Sequence, residues 1–314
     1  MSFHGILRFK PKSDRKQLRF LRTFSIAILF VTIAFGDSQG LSFLTTPSPA
    51  PVAATMNALA PISDSPVALF VNPTGIQTDV TLLNFAHNLW FADVRTDVLS
   101  VAFPVRGQSL SAGLLYTRIP GIEVRDIPSD DPLGTVEAQY WAAALGYAYR
   151  LNSRLRIAGS LKYLHEKLYT ENAHGAALDI AAVWSGPRDI AFSAMLQNAG
   201  GMNALLEEQT TLPTLAQLGV LHPALYEDQN LQIRSGLSVG SYLSNGKMLV
   251  QAGAELRIRE LLSLRGGLEF SEKVAKAAFG AGLRFPPFRI DYAILFMPEG
   301  LGYPQLLSLT FQPR

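Results

Sequence analysis

Apolar and polar residues alternate with a period of two through most of this chain. Between residues 247 and 259, Met248, Val250 and Leu256 belong to an apolar set, while Gln251 and Glu255 belong to the intervening polar set. Successive side chains of a β-strand point to opposite faces, so each such segment predicts a strand with one apolar and one polar face. After the first 40 residues, no segment has the roughly 18 consecutive apolar residues of a spanning helix. The sequence therefore predicts an all-β fold.

Turn residues divide this pattern into fourteen strand candidates. They are residues 78–90, 94–105, 109–119, 137–150, 154–168, 174–184, 188–198, 213–222, 231–243, 247–259, 262–270, 276–285, 288–297 and 304–313. Some joints are tight, and Asn245-Gly246 is the strongest hairpin signal among them. Other joints are long, notably 120–136, 198–212 and 222–230. An even number of segments of about ten residues, with turns at one end and longer loops at the other, is typical of an outer-membrane β-barrel.

Apolar and polar residues also alternate along the strands of a second architecture, a secreted β-sandwich that serves as an adhesin or binding module. Aromatic residues at strand ends, including Trp90, Trp141, Trp184 and Phe296, favour the barrel because aromatic side chains collect at membrane interfaces. Closing the sheet also removes the unpaired edges that hydrocarbon cannot accommodate. We therefore predict a 14-stranded antiparallel transmembrane β-barrel in the bacterial outer membrane, with outer-membrane lipid as its surroundings.

The first 40 residues have a different composition. Seven basic residues between Arg8 and Arg22 precede an uncharged apolar run, residues 24–35. This order predicts a secretory signal peptide over residues 1–40, with cleavage between Gly36 and Leu41. Without residues 1–36 the chain keeps 20 basic and 24 acidic residues, so its formal net charge changes from +2 to −4. The basic residues therefore belong to the export signal, and we predict no nucleic-acid partner.

The segment 41–77 lacks a regular period and precedes the barrel, which we assign to residues 78–314. Apolar residues such as Leu41, Phe43 and Phe70 make it unlike a free linker. Its prolines interrupt any long helix or strand: Pro47, Pro49, Pro51, Pro61, Pro66 and Pro73. We expect a plug-like segment inside or across the barrel mouth. The alternative is a disordered periplasmic tail.

Charged residues on the polar faces of the strands would point into the lumen of such a barrel. They are Arg156, Lys162, Arg234, Glu255, Arg257, Arg265, Glu269, Arg284, Arg289 and Asp291. Both signs are interleaved, and buried charges persist when they are paired. One interpretation is a lattice of cross-strand salt bridges that stiffens the wall, and the other is a polar conduit or ligand path. We favour the lattice because side chains and a plug can largely fill a lumen of this size.

Three short stretches carry a resemblance to a known family. They are residues 60–76, which contain Asn72-Pro73-Thr74-Gly75, residues 159–180, and residues 196–200 followed by Leu212-Pro213. In this order they resemble the PorV/PorQ family of the FadL-like outer-membrane barrels. The resemblance implies fourteen strands and an N-terminal plug, in which Asn72, Pro73 and Gly75 shape a turn. It also implies either a role in type IX secretion, with secretion-machinery proteins as partners, or the transport of a hydrophobic ligand.

The chain offers little that predicts an enzyme. Gly236-Leu-Ser-Val-Gly240 has the spacing of a nucleophile elbow, but it lies inside an alternating strand and not at a strand-to-helix turn. His165, Glu166, Glu171 and His174 flank one predicted hairpin without matching a metal-ligand pattern. The chain contains no cysteine. We therefore predict neither catalytic nor metal-binding nor cofactor-binding residues, and a transport or secretion component that is not an enzyme.

Overall fold

Fourteen antiparallel strands form a closed barrel in the computed structural model, which describes residues 41–46, 49–125, 132–205, 208–272, 274–298 and 300–313. Each strand pairs with its neighbours in sequence, and the first pairs with the last through Leu83–Phe311 and Leu89–Gln305. This confirms the predicted fold class. The strands are β1 Leu82–Leu89, β2 Arg95–Val105, β3 Gln108–Val124, β4 Gly134–Arg150, β5 Leu155–Leu168, β6 Glu171–Ser185, β7 Ala191–Met202, β8 Leu215–Glu227, β9 Leu231–Tyr242, β10 Met248–Ile258, β11 Leu262–Ser271, β12 Val274–Phe285, β13 Phe288–Phe296 and β14 Gln305–Phe311.

Several strands differ in length from their sequence-based candidates. The hairpin of β3 and β4 is longer than predicted, because pairing resumes at Ile122 after a bulge that follows Ile119. The β6 strand begins at Glu171, since Leu168 and Glu171 pair directly around a two-residue turn. A short two-stranded ribbon also forms between β7 and β8, in the part predicted as loop. The predicted long joint 222–230 is wrong, because β8 continues to Glu227 and pairs with β9 around the short turn 228–230. The predicted signal peptide lies outside the described residues.

The two ends of the barrel differ in their connections. At one end lie β1's first residue, β14's last residue and the short joints 106–107, 151–154, 186–190, 228–230, 259–261 and 286–287. At the other end lie the longest joints, 125–133, 203–214 and 297–304. Short turns face the periplasm in barrels of this class, and longer loops face outward. We call the short-turn end the lower end and the other the upper end.

The outer wall of the barrel is apolar. Leu264, Phe279 and Ile290 are 43%, 59% and 40% exposed, although each lies in the middle of a regular strand. Their neighbours Arg265 and Asp291 are buried on the lumen side. A soluble protein does not expose an apolar surface of this extent, whereas a barrel bathed by lipid requires one. None of the described helices is long and apolar enough to span a bilayer.

The described residues of the segment 41–77 fill the lumen, as predicted for a plug. It consists of a short helix α1, Ala50–Ala53, and four 3₁₀ turns, 42–44, 60–62, 66–70 and 73–76. Proline occupies the first or second position of α1 and of the last three turns, which sets the start of each element and stops the preceding one. The α1 helix packs on β12, β13 and β14, while the last two turns pack on β2 to β6.

The plug lies directly against the wall backbone at two lumen-facing glycines. A Cβ atom on Gly253 would lie 2.5 Å from the carbonyl oxygen of Thr55, and one on Gly267 would lie 2.5 Å from its carbonyl carbon. Contacts this short do not occur with real side chains, so only glycine permits the observed approach. The barrel wall is thus shaped to hold the chain at Thr55.

Candidate functional site

The Asn72-Pro-Thr-Gly75 turn joins three parts of the plug. The Asn72 side-chain oxygen accepts hydrogen bonds from the Thr74 amide at 3.1 Å and from the Thr74 hydroxyl at 2.7 Å. Pro73 begins the 3₁₀ turn, where its missing N–H is not needed. A side chain at Gly75 would collide with the carbonyl oxygen of Ala60, and the Gly75 carbonyl accepts from the Ser65 amide. The geometry is that of a structural turn, in line with the role implied by the resemblance.

Six of the predicted lumen charges form one network in the lower half of the lumen. Glu255 contacts Arg234 at 3.0 Å, Arg257 at 3.0 Å and Arg265 at 2.8 Å. Arg265 continues to Asp291 at 2.8 Å, and the final pair joins Asp291 and Arg289 at 2.9 Å. Four guanidinium groups thus share two carboxylates across β9, β10, β11 and β13. The network has the form of the predicted salt-bridge lattice and carries a net excess of cations.

Two arginines connect the wall to the plug. Arg156 donates to the carbonyl oxygen of Pro61 at 2.9 Å, and Arg234 donates to the carbonyl oxygen of Ile62. Neither bond is expected from the sequence, because the partners are backbone atoms of an irregular segment. Charged donors bonded to buried carbonyls give stronger hydrogen bonds than neutral ones. These arginines therefore fix the plug at 61–62 as well as balancing the lumen charges.

A separate ion pair is fully buried at the middle of β5 and β6. Lys162 Nζ lies 2.6 Å from Asp179, and both side chains have no solvent exposure. Lys162 also donates to the Asn198 side chain at 2.8 Å and to the plug carbonyl of Phe70 at 3.4 Å. Gln197 donates to the same Phe70 oxygen at 2.8 Å. The cluster lies where β7 bulges, and Asn198 adopts a positive φ of 56° there.

Polar side chains line one side of the upper lumen. Gln217 donates to Gln251 at 2.8 Å, Gln251 donates to Glu269 at 2.8 Å, and Glu269 pairs with Lys276 at 2.7 Å. Four of the ten predicted lumen charges do not belong to the lower network: Arg156, Lys162, Glu269 and Arg284. Arg284 lines the lower mouth. The glutamines were not singled out from the sequence, although each lies on the polar face of its strand.

A partly open cavity of about 270 Å³ lies between this polar side and the plug. Its apolar lining comes from both plug and wall: Phe43, Leu44, Met56, Phe70, Trp90, Phe91, Leu115, Met195, Leu215, Leu295 and Met297. The buried indole nitrogen of Trp90 and the side-chain oxygen of Asn57 have no hydrogen-bond partner within the described part of the chain. We call this space the upper cavity. A concave, mostly apolar site with a few polar groups is the usual form of a small-molecule site.

The lower mouth contains a larger polar space of about 700 Å³. Its arginines outnumber its acidic side chains: Arg150, Arg156, Arg257, Arg259, Arg265, Arg284 and Arg289 against Asp64, Asp79, Glu227, Asp228 and Glu260. In the turn between β8 and β9, hydrogen bonds from the Asn230 amide, the Tyr226 hydroxyl and the Leu231 amide lower the pKa of Asp228. The plug and the charge network separate this space from the upper cavity.

The four residues that flank the β5–β6 hairpin do not converge. His165 and His174 pair across the strands with ring centroids 4.6 Å apart, on the outer face of the wall. Glu166 is buried on the lumen side, where it accepts a hydrogen bond from Thr210. No group of three potential metal ligands gathers among the described residues. Ser238 lies inside β9 and is bonded to the glutamines of the upper lumen, without the turn that a nucleophile elbow needs.

No protein-family model matches this sequence, and no curated protein matches it. Its structure is similar to that of the Pseudomonas putida toluene transporter TodX, with a TM-score of 0.58 and 12% identity over 78% of this chain and 91% of that chain. A Pseudomonas aeruginosa FadL homologue gives 0.57 and 12%, over 85% and 99%. The CymD monoaromatic hydrocarbon channel gives 0.56 and 10%, over 80% and 93%.

These similarities are similarities of fold, and they are to outer-membrane barrels of the FadL-like type. With the apolar outer wall, this fold confirms the predicted outer-membrane barrel. TodX is named as a transporter and CymD as a channel, and the absence of enzymatic activity in this protein stays a prediction. The secreted β-sandwich is wrong, because the sheet closes on itself. The narrower resemblance to the PorV/PorQ family stays a prediction.

Proposed function

We propose that this protein is an outer-membrane transport barrel that binds a small hydrophobic molecule in the upper cavity, with residues 1–40 serving as its export signal. The observation that carries this proposal is the position of the cavity: it lies in the upper lumen, has a lining that is more apolar than polar, and is bounded by the plug. Transport across a barrel requires a binding place on the path, and the plug forms the floor of this one. The names of the structural neighbours, a toluene transporter and a monoaromatic hydrocarbon channel, support the same ligand class.

The size of the cavity limits the ligand. A cavity of about 150 Å³ lined by apolar side chains can hold benzene. The upper cavity has about 270 Å³, which suits a monoaromatic compound or a chain of similar volume. Trp90 and Asn57 add a donor and an acceptor without partners, so a ligand with one weakly polar group gains a hydrogen bond there. A large or multiply charged solute has neither the space nor the partners.

Binding to the purified full-length barrel in detergent tests this proposal. Trp90 lines the cavity, so a bound ligand should change the fluorescence of Trp90. Trp141 and Trp184 are replaced by Phe in all proteins compared, so that only Trp90 contributes to the signal. We expect toluene or a related monoaromatic compound to shift the Trp90 emission saturably. Met195→Trp should abolish ligand binding by filling the cavity. This substitution is combined with Trp90→Phe, and ligand binding is measured by calorimetry. Leu264→Trp on the lipid face is the matched control in the same background and should bind normally. Normal binding by the cavity-filled variant would refute the proposal.

A second candidate function rests on the sequence motif alone. The Asn72-Pro73-Thr74-Gly75 turn and its flanking residues resemble the PorV/PorQ family, some members of which serve type IX secretion. Such a role requires partner proteins at the loops and does not require a ligand in the upper cavity. Co-purification from native outer membrane in mild detergent separates the two. Recovery of secretion-machinery proteins with a barrel that binds no monoaromatic compound would favour the secretion role.

A further inference from the structure

The outer surface of the wall has a concave groove that is nearly free of polar atoms. It has a volume of about 770 Å³ and lies over β1 to β6. Strand register explains its shape: one row across the wall reads Leu99, Leu114, Ala143, Tyr163 and Ala176. The large side chains at its sides are 40% to 59% exposed, while the alanines leave the floor low. We call this surface the outer groove.

The next row toward the upper end is made of aromatic and imidazole rings. It runs through Tyr116, Trp141, His165 and His174 on β3 to β6. On β2 and β1 the row continues with Asp97 and His87, which are hydrogen-bonded to each other at 2.7 Å. Tyr116 and Trp141 have ring centroids 4.3 Å apart, and those of His165 and His174 are 4.6 Å apart. The Tyr163 hydroxyl, at the edge of the outer groove, is hydrogen-bonded to His174 at 2.8 Å. Amphipathic rings of this kind lie at the level of lipid headgroups.

A polar row lies two residues further up the same strands. It reads Arg95, Arg118, Gln139, Lys167 and Asn172, so it contains three cations, two amides and no carboxylate. Arg95 and Arg118 lie directly opposite each other, and like charges in this position destabilise a sheet. Arg118 pairs with Glu137 in the row above, and Glu137 also interacts electrostatically with Lys167, whereas Arg95 forms no ion pair in the part of the chain that the structure describes. The three cations outnumber the carboxylates that contact them, so the row can bind an external anion.

The polar row is confined to one sector of the barrel. On β10, β11 and β13, the outward residues nearest the upper end of each strand are Met248, Phe270 and Phe296, which are apolar. A general aromatic girdle would surround the barrel evenly, whereas here cations, rings and groove occur together on six strands. Along the outer wall toward the upper end, the groove is followed by the rings and then by the cations. A charged lipid has the same order of parts, namely acyl chain, interfacial region and phosphate.

We propose that β1 to β6 form a docking site for a phosphorylated glycolipid of the outer leaflet, of the lipid A type. One acyl chain occupies the outer groove, the sugar headgroup lies against the row of rings, and a phosphate is bound by Arg95, Arg118 and Lys167. Guanidinium and ammonium groups are the preferred protein partners of phosphate. The site lies on the opposite side of the wall from the upper cavity. It is therefore independent of the proposed transport function.

Binding of bis-phosphorylated lipid A to the full-length protein in detergent, measured by native mass spectrometry, tests this proposal. Lys167→Glu should weaken binding about tenfold or more, because it removes one phosphate partner and adds repulsion. Ala143→Trp should weaken it similarly by filling the groove while leaving every cation in place. Lys247→Glu is the matched charge control at the upper end of the opposite sector, and Ala254→Trp is the matched control on the opposite outer wall. Both should bind like the wild type.

Two further lipids define the ligand. Dephosphorylated lipid A should bind weakly to the wild type, because it lacks the phosphate. Its affinity for Lys167→Glu should equal its affinity for the wild type, because residue 167 contacts only the phosphate. Phosphatidylglycerol should compete poorly, since it lacks the sugar headgroup that covers the rings. Wild-type lipid A affinity in Lys167→Glu and Ala143→Trp would overturn the proposal. Equal losses in the two control variants, or phosphatidylglycerol binding as tightly as lipid A, would overturn it as well.

Discussion

Replacing Gly267 by alanine should loosen the plug, whereas the same change at the adjacent Gly266 should not. The two residues are neighbours in β11 and face opposite sides of the wall. A Cβ on Gly267 would lie 2.5 Å from the Thr55 carbonyl carbon and 2.7 Å from the Met56 amide nitrogen. Ordinary contacts between such atoms are about 3.5–4.0 Å, so the plug backbone must withdraw by roughly 1 Å. At Gly266 the nearest atoms belong to Phe279 at 3.8 Å, so a methyl group fits there.

Overpacking of this kind typically costs about 1–3 kcal/mol, and we expect that loss in the free energy of unfolding of Gly267→Ala. Gly266→Ala should stay within about 0.5 kcal/mol of the wild type. Urea unfolding, followed by the gel mobility of the folded barrel, measures both. The chain contains no cysteine, so Met56→Cys, added to each variant, reports plug exposure through its rate of maleimide labelling.

Labelling should be faster in the Gly267→Ala background only, because Met56 is 2% exposed in the unperturbed plug. Equal stabilities and equal labelling rates in the two backgrounds would refute the inference that the plug packs directly on the wall at this glycine. A stability loss without faster labelling would refute it too, since the strain would then be confined to the strand.

The remaining predictions concern the charges and the lipid face. Lys162→Met should cost about 3–5 kcal/mol in the free energy of unfolding by leaving Asp179 buried and unpaired, and adding Asp179→Leu should recover most of it, as urea titrations would show. Glu255→Gln should destabilise the barrel more than Glu269→Gln. Glu255 is the carboxylate shared by three arginines, whereas Glu269 pairs with one lysine. Thermal gel-shift curves compare the stabilities of the two variants. Gly266→Arg should cost about 2–4 kcal/mol if lipid at the bilayer midplane bathes that position, and wild-type urea resistance would contradict the assigned face.

The strands and their faces were predictable because alternation is a local property. Arg265 and Asp291 could be assigned to the lumen from their own neighbours, and both are buried there. The same rule should have included Asp179, which lies between the inward-facing Ala177 and Ala181. The sequence does not mark Asp179 clearly, because alanines occupy both faces of β6 and weaken the alternation there. Its partner Asn198 follows from no pattern, since a bulge shifts the register of β7 at that point.

The plug and the outer groove could not be predicted in the same way. The prolines indicate where helices and strands stop, but the sequence does not specify which plug carbonyl accepts a hydrogen bond from which arginine. The outer groove depends on the pairing of Leu114 with Ala143 and of Ala143 with Tyr163. Register between strands is set by the closed sheet as a whole, and a shift of one residue would bring lumen side chains to the lipid face.

The contacts of the plug constrain how a ligand could pass from the upper cavity to the lower mouth. Arg156 and Arg234 hold the backbone at Pro61 and Ile62, and Lys162 with Gln197 holds it at Phe70. These donors are mostly buried, so removing the whole plug would leave cations without partners in the lumen. Water could fill the vacated space, but these four donors would then lose their backbone acceptors together. A local displacement of the plug beside the upper cavity keeps these bonds, and it therefore requires less free energy than expulsion of the whole segment.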